Sequence, residues 1–116
     1  MLLAFSVAPS GIPASQAADT GRAASPHAGD ASVHDAVAAA VKIVRESGLP
    51  NKTDSMFTTI EGEWDEVFDV VRRATEAVGR FGSRVSLVIK ADIRPGYSGE
   101  LTAKVDRLES AIVETP

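Results

Sequence analysis

Arg84-Val85-Ser86-Leu87-Val88-Ile89-Lys90-Ala91-Asp92-Ile93-Arg94 alternates without a break, with Val85, Leu87, Ile89, Ala91 and Ile93 on one side and Ser86, Val88, Lys90, Asp92 and Arg94 on the other. Successive side chains of an extended chain point to opposite faces, so this period of two predicts a strand with one face against a core. Pro95 and Gly96 end it. A similar strand is expected over residues 2–8, where Leu3, Phe5 and Val7 share one face, Ala4 and Ser6 take the other, and Pro9 closes the run.

Between these two strands the period changes. Trp64, Val67, Phe68, Val71, Ala74, Thr75 and Val78 follow the i, i+3, i+4, i+7 pattern of an amphipathic helix ending between Gly79 and Gly82. Ser32, with Asp35 three residues on, starts an earlier helix carrying Val33, Val37, Ala40, Val41 and Val44, and Gly48 and Pro50 stop it. Residues 51–55 and 56–61 read as two short strands with no strong turn signal between them. After Arg94, Leu101, Val105, Leu108 and Ile112 form a last helical stripe, with Ser98 as the expected cap. The stretch from Pro9 to Ala31 is rich in Ala, Ser, Gly and Pro and reads as a surface loop, over residues 10–31. The element order is β, α, β, β, α, β plus a C-terminal helix: an α+β chain of 116 residues, read as one domain over 1–116.

Composition excludes several classes of function. Twelve Lys and Arg against 16 Asp and Glu leave a formal charge of −4, and no basic run offers a stripe to a nucleic acid backbone. There is no cysteine, hence no disulfide framework, thiolate metal site or Cys nucleophile. His27 and His34 have no partners at ligand spacing, and no metal is expected. Ser32, His34 and Asp35 are the residue types of a catalytic triad, but adjacency along one helix does not supply relay geometry. The apolar start at residues 1–5 lacks a preceding Lys or Arg and is broken by Ser6, Pro9, Ser10 and Gly11, unlike a secretory signal. No segment approaches the roughly 20 apolar residues of a membrane span, so a cytoplasmic protein is expected.

Two amphipathic helices cover one face of a four-stranded sheet, and right-handed crossovers set the first strand between the third and fourth. The other face is left open. Alternation places Ala4, Ser6, Thr59, Glu61, Ser86, Val88, Lys90, Asp92 and Arg94 on it. With the third and fourth strands antiparallel to the first, Glu61 and Asp92 approach the Leu2 end, and two carboxylates and an ammonium converge. Such groups suit a cationic or amino-bearing heterocycle held by charge-assisted hydrogen bonds, or else pair with one another across a subunit interface. An acid/base enzyme using Glu61 and Asp92 is a third class, but no nucleophile or oxyanion donor set accompanies the pair, so no catalytic residue is assigned. Trp64 reads as a core or interface anchor. Arg94 and the glycine turn before Ser98 offer a phosphate site or, more simply, a turn and cap.

The residues also carry a resemblance. Met56-Phe57-Thr58-Thr59-Ile60-Glu61-Gly62-Glu63 resembles the M-x-T-x-I-E-G-E segment of the thiamine-binding YkoF-like family. Val88-Ile89-Lys90-Ala91-Asp92-Ile93-Arg94, followed by Leu101 and Lys104-Val105, is similar to its I-K-x-D-x-R ending and final helix, and Ser6-Val7-Ala8-Pro9-Ser10-Gly11 to its first strand and P-x-G turn. The match spans nearly the whole chain except about 12–31, which is longer than the family's usual connection, and Phe57 stands where a Gly is common. The resemblance implies a ferredoxin-like βαββαβ sandwich with a four-stranded antiparallel sheet, dimers that pair into tetramers, and non-catalytic binding of thiamine or its hydroxymethylpyrimidine part. The positions it marks are Ser6, Glu61, Lys90, Asp92 and Arg94, and face geometry adds Thr59. Glu61 or Asp92 would accept from the aminopyrimidine while Thr59 supplies a neutral hydrogen bond.

Overall fold

The structure is a computed structural model that describes residues 1–12 and 28–116, and the side chains of all of these except 28–32. β1 (Leu2–Ser10) is followed by α1 (Ala28–Glu46), β2 (Asn51–Thr53), β3 (Thr58–Glu61), α2 (Trp64–Val78), β4 (Arg84–Asp92) and α3 (Glu100–Glu114). The four strands form one sheet in the order β2-β3-β1-β4, with every neighbouring pair antiparallel. This is the open-faced α+β sandwich expected from the element order, with α3 added.

The core lies between the sheet and α1 and α2. Leu3, Phe5 and Val7 of β1 and Ile60 of β3 are buried against Ala36, Ala40 and Val44 of α1 and Val67, Val70, Val71, Ala74 and Val78 of α2. α2 buries Val67, Val71, Ala74 and Val78 of the stripe its spacing predicts, with Val70 and Ala77 beside them while Trp64 at its start stays exposed, and a three-residue 3-10 turn over Gly79–Phe81 ends it. α1 differs from expectation in two ways. It starts at Ala28, ahead of Ser32, and its buried stripe is Ala36, Ala40 and Val44, whereas Val33 and Val37 are exposed. The small Ala side chains let the α1 backbone approach its neighbours, which the larger Val face would hold off. The loop expected over 10–31 lies largely outside the described residues, as does His27.

β1 runs two residues past its expected end. Pro9 is tolerated in the strand because β1 pairs with β3 only as far as Phe5, so beyond it one edge of β1 has no β3 partner to bond. β4 stops at Asp92, two residues short of Arg94. The β2–β3 hairpin turns on the Asp54 carboxylate, whose Oδ1 accepts hydrogen bonds from the amides of Met56 at 2.8 Å and Phe57 at 2.9 Å. Both bonds stabilise the charged form, so the Asp54 carboxyl is held below its usual range, first by Phe57 and then by Met56.

Candidate functional site

The strand register builds the open face row by row, because residues directly opposite in an antiparallel pair point to the same side. Leu2 stands opposite Glu61 on β3 and Asp92 on β4. Ala4 stands opposite Thr59 and Lys90, and Lys52 of β2 continues that row beyond Thr59. Ser6 faces Val88 one row further on. Glu61 and Asp92 thus share the row at the Leu2 end as expected, but they flank β1 from opposite sides and do not converge. Their Cα atoms are two strand spacings, or about 9–10 Å, apart, so they do not form a dyad sharing a proton.

α3 returns beneath this end of the sheet. Gly96 and Gly99, at φ of 83° and 71°, take left-handed conformations that reverse the chain after β4. The helix then begins against Glu61, whose carboxylate accepts hydrogen bonds from the backbone amides of Glu100 at 2.8 Å and Leu101 at 3.4 Å. Glu61 thus fills the role expected of Ser98. Gly99 is the N-cap residue, and a carboxylate from another strand satisfies the free amides of the first turn. With Glu61 seated there, this helix terminus does not offer itself to a phosphate.

Asp92 pairs with Lys104 of α3, Nζ to Oδ2 at 2.6 Å, rather than with Lys90. The Lys104 ammonium holds the Asp92 carboxyl below its usual range, so at neutral pH Asp92 is an acceptor with one oxygen bonded to Lys104. Lys104 was not singled out as a site residue by the strand pattern. Its signal was its place four residues after Glu100, which sets it in the second turn of a helix whose start the sheet fixes. Arg107 bonds Glu100 and lowers that carboxyl in turn, tying the first two turns of α3 together.

These elements enclose a concavity of about 190 Å³ lined by Leu2, Ala4, Thr59, Lys90, Asp92 and Lys104. Three of the six predicted positions, Thr59, Lys90 and Asp92, meet in it. Glu61 adjoins it but is engaged with α3. Ser6 lines another groove, between β1, the β2–β3 turn and α1, together with Phe57, which accordingly does not crowd the Thr59 concavity. Arg94 lies beyond β4, its guanidinium 3.6 Å over the Tyr97 ring, and lines a third hollow of about 150 Å³ with Trp64 and Tyr97. Trp64 is not in the core: it is 53% exposed and stacked on Phe68 at 5.3 Å.

The concavity offers one carboxylate, two ammonium groups and a hydroxyl around an apolar floor. Its volume falls below the roughly 300 Å³ at the low end of drug-sized ligand sites. It therefore suits a single ring with polar edges. Among the described residues no group of His, Cys, Asp or Glu is placed to hold a metal ion, and no helix is long and apolar enough to cross a membrane.

Comparison with known proteins agrees with this fold. Over 110 residues the chain is 44% identical to the UPF0045 protein Mb1933 of Mycobacterium bovis, covering 94% of this chain and 91% of that one. A structure from Bacillus cereus, of a domain of unknown function termed DUF77, superposes with a TM-score of 0.63 at 28% identity over 87% of this chain and 84% of that one. A Thermotoga maritima protein provisionally named for thiamine biosynthesis/salvage shares the fold, with a TM-score of 0.65 at 21% identity over 92% and 96% of the two chains. The family model described as thiamine-binding protein matches residues 23–109, and the chain belongs to that family.

Proposed function

We propose that the chain is a non-catalytic, cytoplasmic binding protein for thiamine or its hydroxymethylpyrimidine part, and that the ring occupies the concavity between Thr59, Lys90, Asp92 and Lys104. The observation that carries this reading is the meeting of Thr59, Lys90 and Asp92 around one ring-sized hollow on the open sheet face. The free oxygen of Asp92 accepts from the exocyclic amine, and the Thr59 hydroxyl or the Lys90 ammonium donates to a ring nitrogen. The thiazolium cation of thiamine points away from Lys90 and Lys104, since two like charges at that distance would oppose it.

The hollow is open on one side, and a second copy of the chain is the natural cover, in a dimer or tetramer. A structural or regulatory homo-oligomer without a ligand is the second reading. It is favoured by α3, where Val105, Leu108 and Ile112 are each at least half exposed and need a cover whether or not a ligand binds.

A thermal-shift panel of thiamine, its phosphates and the free hydroxymethylpyrimidine tests the proposal, because a ligand bound only by the native state raises the melting temperature. A shift with the free pyrimidine that is lost in Asp92→Asn supports it. No shift with any member at millimolar concentration leaves the ligand-free oligomer as the better account.

A further inference from the structure

The turn after β4 holds two side chains together. Pro95 and Gly96, the latter at φ of 83°, are the central residues of a tight turn closed by the Tyr97 amide, which donates to the Arg94 carbonyl oxygen at 3.2 Å. Proline pre-sets the first central position and glycine takes the left-handed second one, the pattern of a type II turn. Arg94 and Tyr97 stand at its two ends, which brings the guanidinium 3.6 Å from the centre of the Tyr97 ring. Stacking uses the flat face of the guanidinium and leaves its in-plane N–H donors for an acceptor.

The hollow that these two residues line has Trp64 as a further wall. Trp64 opens α2, whose first turn is fixed by the capping box of Glu63 and Glu66, and its indole is stacked on Phe68, which packs against the core. Trp64, Ile93 and Tyr97 are each about half exposed, so three large apolar side chains left out of the core gather at one place. The space among them is about 150 Å³, the size of cavity that takes a single benzene ring. The acids nearby are already engaged: Asp92 with Lys104, Glu100 with Arg107, Glu61 with the amides of α3 and Glu63 with the first turn of α2. Arg94 has no ion pair among the described residues. A cation with its donors uncommitted thus borders a ring-sized apolar hollow whose walls are held in place before any ligand arrives.

We propose that this hollow is a second binding site, distinct from the open-face concavity, for a single aromatic ring bearing a carboxylate or a phosphate. The ring lies against Trp64 and Tyr97, and the anionic group takes the in-plane donors of Arg94 as a fork. A neutral ring forgoes the charge-assisted bonds, and an anion without a ring forgoes the aromatic walls. The site does not rest on the thiamine reading.

The chain has one tryptophan, so its single indole N–H resonance reports on this hollow. Titration with phenyl phosphate and with benzoate separates the two anions, while cyclohexanecarboxylate removes the aromatic ring and hydroxymethylpyrimidine removes the charge. Phenyl phosphate or benzoate should move the indole resonance saturably at millimolar concentration or below, and Arg94→Gln should weaken that binding at least about tenfold. Arg94→Lys keeps the charge without the planar fork and should fall between the two. Arg94 is exposed, so both variants should melt as the wild type does. An indole resonance that stays in place up to about 10 mM of both aromatic anions, or a response unchanged in Arg94→Gln, overturns the site. Equal movement with cyclohexanecarboxylate or with hydroxymethylpyrimidine overturns the joint recognition of ring and anion.

Discussion

Replacing Glu61 with Ala should detach α3 without unfolding the rest of the protein. Glu61 is only 8% exposed, and its carboxylate holds the amides of Glu100 and Leu101. Hydrogen bonds to a charged acceptor contribute about 1.5–3 kcal/mol each, and the 3.4 Å bond to Leu101 is the weaker of the two, so the loss is about 2–3 kcal/mol. That loss falls on α3 because, among the described residues, its other ion pair to the sheet is the half-exposed Asp92–Lys104 pair, and Val105, Leu108 and Ile112 are exposed. A free helix of 15 residues is marginal in water, so once released it frays. Native-state hydrogen exchange reads this directly. Amides of α3 should exchange about 30- to 150-fold faster in Glu61→Ala, while those of Leu3 and Phe5 change little. Glu61→Gln keeps an acceptor oxygen and should show a smaller effect. Unchanged protection in α3, or an equal loss in β1 and α3, would refute the anchoring role.

Other perturbations separate the core from the site. Leu3 is fully buried, and Leu3→Ala should lower unfolding free energy by about 2–5 kcal/mol, seen as a lower denaturation midpoint at unchanged slope. Gly82 has an ordinary extended backbone, but a Cβ there would stand 2.5 Å from the Ser10 carbonyl oxygen and 3.1 Å from Pro9 Cβ, so Gly82→Ala should cost about 1–3 kcal/mol by the same assay. The Asp92 and Glu100 carboxyls are lowered in the folded protein by Lys104 and Arg107, so their stabilising effect is fully present above the ordinary carboxylate range. It is lost as pH falls through the lowered values, and α3 protection should drop below about pH 4. Protection that rises on acidification would reverse that sign.

Much of the scaffold could be read from side-chain period alone. The alternation of Leu3, Phe5 and Val7 identifies β1 and its core face, that of residues 85–92 identifies β4 as a strand although Leu87 and Ile89 stay exposed where the pattern predicts burial, and the Trp64 to Val78 stripe identifies α2. The Asp92–Leu2–Glu61 row followed from topology plus that alternation, as the register bears out. Three features were not legible, each for its own physical reason. The hairpin turn depends on the Asp54 side chain bonding the next amides, a single residue's contribution with no period to reveal it. α1 buries Ala36 and Ala40 in preference to Val33 and Val37, because close approach outweighs side-chain size at a helix contact. The path of α3 depends on two left-handed glycines and a carboxylate distant in sequence: a glycine-rich turn signals reversal but does not say where the chain goes. That return path occupies Glu61 and brings Lys104 to Asp92, which changes which predicted residues face a ligand.

Backbone amide shifts on titration with hydroxymethylpyrimidine test most directly whether the open-face hollow is the binding site. Binding there should move Ala4, Thr59, Lys90 and Asp92 and leave the Trp64 and Tyr97 amides in place. Saturable shifts confined to Trp64, Arg94 and Tyr97, or none at millimolar ligand, would contradict the assignment.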